Sequence, residues 1–103
     1  MIRVKCRKKD GHITYLSLTG HADSADYGMD LVCAGVSSIM FGLLNALDEI
    51  AGIETIKVDQ NLITVNILEP DQTTDLIMET GLIQLKTVKE QYSQFMKIQL
   101  TEE

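Results

Sequence analysis

The chain of 103 residues has no tryptophan, one proline and two cysteines, and only 5% of it is aromatic. Aliphatic side chains must therefore build the core, and at 45% apolar residues there are enough of them for one domain. Cys6 and Cys33 lack C-x-x-C spacing, which makes a poor zinc site. Positive charge is also scarce: nine Lys and Arg stand against fifteen Asp and Glu, a net −6. That balance argues against DNA or RNA as the main ligand. It suits a basic protein or peptide partner, or no charged partner at all. The start Met1-Ile2-Arg3-Val4-Lys5 alternates and has no apolar h-region, and no unbroken apolar run approaches the ~20 residues of a membrane span. A cytoplasmic protein with no membrane association is expected, in which a disulfide is a poor default. Repeats, low-complexity tracts and linkers are absent, so residues 1–103 are expected to form one domain.

What is present is periodicity. Ile2, Val4 and Cys6 alternate with Arg3, Lys5 and Arg7, a half-buried strand with a basic outer face. Asp10-Gly11 is a tight-turn signal, and residues 13–19 read as the return strand, ended by Gly20. Turn formers crowd residues 21–30, with Asp30 placed to cap a helix. Val32, Val36, Ile39, Met40, Leu43, Leu44, Leu47 and Ile50 recur at helical spacing, and Gly52 suits the C-terminal cap. Residues 53–59 and 62–67 read as strands around Gln60-Asn61. Pro70 is followed by Asp71 to Thr74 as a helix entry, and residues 75–92 read as an amphipathic helix with Met78, Leu82, Leu85, Val88 and Tyr92 on one stripe. Residues 95–100 alternate again, and Thr101-Glu102-Glu103 reads as a loose tail. The expected fold is α+β in the order β-β-α-β-β-α-β, a largely antiparallel sheet packed with two helices in a single domain.

The stretch with chemical potential is Gly20-His21-Ala22 followed by Gly28-Met29-Asp30-Leu31-Val32-Cys33-Ala34. A thiol in the first turn of a helix feels the positive end of the helix dipole and unpaired backbone N–H groups, and both favour thiolate. A histidine within reach completes a nucleophile–base pair. Cysteine also serves as a small core hydrophobe, and Cys6, inward on its strand with Ile2 and Val4, reads that way. Cys33 aligns with Ser37 rather than with the Val32–Val36–Ile39 stripe. Ser37 either bonds the Cys33 sulfur or is a plain helical serine. Asp30 either caps the helix, orients His21 or orders the loop. His12, beside the Gly11 turn, is expected to be exposed. Asp23, Asp26 and Asp30 do not match an EF-hand loop, and a metal site built from them with His21 and Cys33 is poorly specified.

Residues 20–37 resemble the ribosomal-processing cysteine protease family, also called Prp or YsxB-like. The resemblance lies in Gly20-His21-Ala22, Gly28, Asp30, Val32-Cys33-Ala34 and Ser37, and the order of elements agrees over the whole chain. It implies a catalytic pair of Cys33 and His21, supporting roles for Asp30 and Ser37, and substrate contact at Gly20, Ala22, Gly28 and Ala34. It implies no cofactor and no metal. The family substrate is the N-terminal extension of a bacterial large-subunit ribosomal protein, number twenty-seven, apolar with aromatics before the cut. Family members are cytoplasmic homodimers, so a ribosomal precursor and a second copy are the expected partners. Gly35 departs from the alanine expected there, and either permits close backbone approach or loosens the first turn. The competing reading is a non-catalytic interaction module with a packed Cys33. Redox sensing is a third, disfavoured by the absence of a second cysteine nearby.

Overall fold

In the computed structural model, which describes residues 1–20, 29–53, 56–59 and 62–103 and omits the side chains of Met29, Asp30 and Ile56, the chain runs β1 (Ile2–Lys9), β2 (His12–Thr19), α1 (Met29–Ala51), β3 (Ile56–Asp59), β4 (Leu62–Asn66), α2 (Gln72–Gln91) and β5 (Met96–Glu102), with a short 3-10 turn at Ser93–Phe95 before β5. The five strands form one sheet in the order β3-β4-β2-β1-β5. Only β1 and β5 pair in parallel; the other neighbours are antiparallel. This is the expected α+β arrangement.

Register puts the alternating apolar residues on one face. Val4 lies opposite Leu18 and Ile98, Cys6 opposite Leu16, and Leu18 and Leu16 opposite Ile63 and Val65. That face carries the helices. On α1, Val32, Val36, Met40, Leu43, Leu44 and Leu47 are all buried, which is the helical spacing seen in the sequence. Each such side chain stabilises the fold by roughly 1.5–3 kcal/mol when fully buried. Leu31–Ala51 is, by length and composition, apolar enough to cross a membrane. No unbroken apolar run marks it in the sequence because polar residues interrupt it; here its buried row is the inner layer of the core. On α2, Met78, Leu82 and Leu85 are buried, with Val88 and Tyr92 packed at the margin. The buried side chains of sheet and helices form one continuous core.

Local chemistry sets the boundaries. Asp10 and Gly11 both have positive φ, 51° and 81°, as a tight hairpin turn requires. Gly52 at φ 67° ends α1, with its N–H bonded to Asp48 O and that of Ile53 to Leu47 O, both at 3.0 Å. The second helix begins at Gln72, within the Asp71–Thr74 entry read from the sequence. The Asp71 carboxylate accepts from Thr74 N at 2.8 Å and Thr74 Oγ1 accepts from Asp71 N at 2.9 Å, a reciprocal cap with threonine in the usual glutamate place. The C-terminal tail is not loose. Thr101 and Glu102 pair with Arg7 and Lys8, because β1 extends to Lys9 and offers them a partner.

Gly20 closes β2 at φ 95°, and a Cβ there would overlap the carbonyl oxygen of Met1. Both the backbone angle and the contact exclude a side chain. Gly20→Ala is therefore expected to destabilise the protein by about 1–3 kcal/mol. A urea titration would read this as a lower midpoint at unchanged m-value; an unchanged midpoint contradicts the packing described.

Candidate active site

Cys33 is the fifth residue of α1. Successive helical residues are turned by about 100°, so Cys33, Ser37 and Phe41 form a row beside the buried row Val32, Val36 and Met40. Cys33 is half-buried at the edge of the core, whereas Phe41 is 48% exposed. The row forms one wall of a cleft of about 300 Å³. Leu18 and Ile63 from the sheet, Val36 from α1, and Val58, Asp59 and Leu62 from the β3–β4 pair line the rest, with Gly20 at the end. The cleft is thus mainly apolar. Among the described lining residues the polar ones are Cys33, Ser37 and Asp59.

The structure brings together three of the expected site residues: Gly20, Cys33 and Ser37. Ala34 is exposed and is not among the cleft-lining residues. His21, Ala22 and Gly28 lie outside the described residues, as does the side chain of Asp30. The backbone of Asp30 is already helical, since α1 begins at Met29. A residue with helical backbone does not occupy the N-cap position, so the capping reading of Asp30 is set aside. The earlier start also moves Cys33 from the first turn to the beginning of the second. No described side chain comes within 4 Å of a Cβ built on Gly35, which gives the close-approach explanation no support among the described residues.

Sequence reasoning missed the opposite wall. Val58, 53% exposed, and Leu62, 37% exposed, look like ordinary alternating strand residues until the sheet order places β3 and β4 beside the start of α1. Phe41 was legible: it stands eight residues after Cys33 on the same helical row.

The two thiols differ sharply, and they are not joined in a disulfide. Cys6 is 1% exposed, and burial pushes its thiol above its ordinary value of 9.0, with Glu79 acting in the same direction and Lys8 and Lys86 against. His12 takes no part in the cleft. Its Nδ1 lies 2.6 Å from Asp75 Oδ2 and ties β2 to the first turn of α2. Among the described residues no group of three His, Cys, Asp or Glu could hold a metal. A larger cavity, about 550 Å³, opens between α1 and α2 around Ile39, Leu43, Ile50 and Leu76, with no thiol, carboxylate or imidazole in its lining.

A half-buried thiol in a peptide-sized cleft at a helix start is the arrangement a thiol hydrolase needs. A model of the family described as "Cysteine protease Prp" matches residues 1–97. The chain belongs to the Prp cysteine protease family. It is a cysteine protease. A ribosomal processing cysteine protease Prp of Staphylococcus aureus (strain Mu50) is 34% identical over 93 residues, 86% of this chain and 88% of that one. The crystal structure of SMU.848 from Streptococcus mutans superposes with a TM-score of 0.88 at 26% identity, over 100% of this chain and 96% of the other. The S. aureus protease Prp in complex with a substrate peptide superposes with a TM-score of 0.79 at 30% identity, over 97% and 99%. That protease has also been solved with a covalently linked product peptide.

Two outcomes follow from the contrast between the thiols. Brief treatment of the native protein with iodoacetamide at pH 7.5 is expected to label Cys33 at least tenfold faster than Cys6, read by peptide mass mapping. Comparable rates would mean that the cleft does not expose Cys33. Cys6 also makes stability depend on alkaline pH. Its native pKa is raised, so the neutral thiol's contribution is fully present below the unfolded value near 9 and is lost as pH rises through the native value. Cys6→Ala should flatten the fall in stability above about pH 9, where one such group contributes at most about 1.4 kcal/mol per pH unit. Identical alkaline slopes for the two proteins contradict this.

Proposed function

We propose that the protein removes the N-terminal extension of large-subunit ribosomal protein twenty-seven, with Cys33 as nucleophile and His21 as its base. The observation that carries this reading is the position of Cys33: of the two cysteines, it is the one that opens onto a cleft with apolar walls. The resemblance at residues 20–37 supplies His21. The relatives' names supply ribosomal processing, and the S. aureus complexes supply peptide binding and a covalent product.

The chemistry is acyl transfer through sulfur. His21 takes the Cys33 proton, and the thiolate adds to the scissile carbonyl carbon. The N–H groups of the first turn of a helix have no intrahelical partner, so those of residues 29–31 are available to the oxyanion that forms. Collapse of the adduct breaks the C–N bond, and the leaving amine takes the proton from His21. Water, deprotonated by His21, then cleaves the thioester and returns Cys33 to its starting form. Ser37, one helical turn along from Cys33, supports the sulfur, and Asp30 supports His21 or its loop. Leu18, Val36, Phe41, Val58 and Leu62 provide the apolar surface for the extension. A cytoplasmic homodimer is the assembly this reading entails.

The test is incubation of the ribosomal precursor with the protein, followed by intact mass. The native protein is expected to release the extension as one fragment. Cys33→Ala should lower the rate by at least about 10³-fold while binding the precursor, since it removes the covalent route. Cleavage that survives Cys33→Ala would overturn the assignment.

A further inference from the structure

The helices cover one face of the sheet and leave the other open. Register shows what the open face carries. One cross-strand row is Lys57, Thr64, Ser17, Lys5 and Gln99; a second is Asp59, Leu62, Thr19, Arg3 and Lys97; a third is Asn66, Tyr15, Arg7 and Thr101. Five of the chain's nine Lys and Arg therefore stand on this face: Arg3, Lys5, Arg7, Lys57 and Lys97. All five are exposed. Among the described residues two acids accompany them at its margins, Asp59 at the β3 edge of the second row and Glu103 beyond β5. A chain of net −6 thus separates its charge, and the net figure, which argued against nucleic acid, does not describe this surface.

The spacing is that of a lattice. Neighbouring strands lie about 4.8 Å apart, and alternate residues along a strand lie roughly 6.8 Å apart. Like charges held this close repel one another, and a polyanion relieves the repulsion. Arg3, Lys5 and Lys97 also share a concavity of about 410 Å³ with Lys89 of α2, at the β1–β5 side. Thr19, Thr64, Thr101, Asn66 and Gln99 add hydroxyls and amides, which bond phosphate and sugar oxygens, whereas Ser17 is 2% exposed. Tyr15 adds a flat ring, with the Arg7 guanidinium carbon 4.1 Å from its centroid. Basic charge, hydroxyl and amide donors, and an aromatic on an open sheet are the components with which sheets hold single-stranded nucleic acid.

We propose that the open β-sheet face binds single-stranded RNA through its phosphates, with Arg3, Lys5, Lys97 and Arg7 as the principal contacts. An acidic protein would meet the charge but would make no use of Tyr15 or of so many hydroxyl and amide donors, so RNA is the occupant the surface favours. The proposal does not rest on the protease reading. The face lies on the opposite side of the sheet from the helices that wall the Cys33 cleft.

The experiment is fluorescence anisotropy of a labelled twelve-nucleotide oligouridylate titrated with the full chain at 50 to 200 mM salt. Arg3→Gln/Lys97→Gln removes two charges from the face. Lys8→Gln/Lys86→Gln removes two near Cys6, on the helix-bearing side. The face pair is expected to weaken binding at least tenfold and to reduce the slope of log K against log salt by roughly 1.4, at about 0.7 for each phosphate that is no longer neutralised. The other pair should change affinity less than twofold. Circular dichroism and cleavage of a short extension peptide should be unchanged in both pairs, since all four positions lie outside the cleft lining. No binding by the native chain at 50 mM salt overturns the proposal, as does equal weakening by the two pairs. Displacement of the RNA by polyglutamate at equal charge concentration also overturns it, and points to an acidic protein partner.

Discussion

Burial of the α1 row Val32–Val36–Met40–Leu43–Leu47 against one face of the sheet is the constraint on which the other features depend. A helix of this length can bury one face and must leave its flanks free. Packing the Val32 row fixes the rotation of the helix, and that rotation sends the adjacent row of Cys33, Ser37 and Phe41 toward the β3–β4 pair. Had the helix buried a row one residue further along, Cys33 would be sealed among core side chains and Ala34 would face the cleft. The position of the Cys33 thiol is thus a consequence of core packing.

The sheet shares in this arrangement. Its period-two pattern supplies the floor of the cleft through Leu18 and Ile63, and its order places the short β3 at the edge nearest to the start of α1. The same alternation throws Arg3, Lys5 and Arg7 onto the far face, so one pattern in β1 separates the apolar, helix-bearing side from a cationic side. Gly20 joins the two halves of the arrangement. It ends β2 against the backbone of Met1 and Ile2, and it begins the segment that carries His21.

Much of this was legible in the sequence because it rests on periodicity. Residues 2–6 and 16–18 alternate, the α1 positions recur at helical spacing, and Gly52 ends the helix where its left-handed φ is needed. What was not legible rests on contacts between elements distant in the chain. The parallel partner of β1 is β5, so the tail expected to be loose became the end of an edge strand. The entry of α2 at Asp71–Thr74 was legible from its residue types, but the reciprocal pair of hydrogen bonds that fixes it was not. At the site, the row Cys33, Ser37 and Phe41 follows from helix geometry alone. Val58, Asp59 and Leu62 do not, because nothing local to them reports which helix they face.

The central claim is that core packing delivers one thiol, Cys33, to a cleft that holds a peptide. The most direct measurement is affinity labelling with a peptide of the ribosomal extension that ends in a chloromethyl ketone, followed by intact mass and peptide mapping. The account predicts one equivalent of peptide per chain, attached at Cys33, with protection by excess unlabelled extension peptide. Attachment at Cys6, or labelling of Cys33 that unlabelled peptide does not slow, would contradict it.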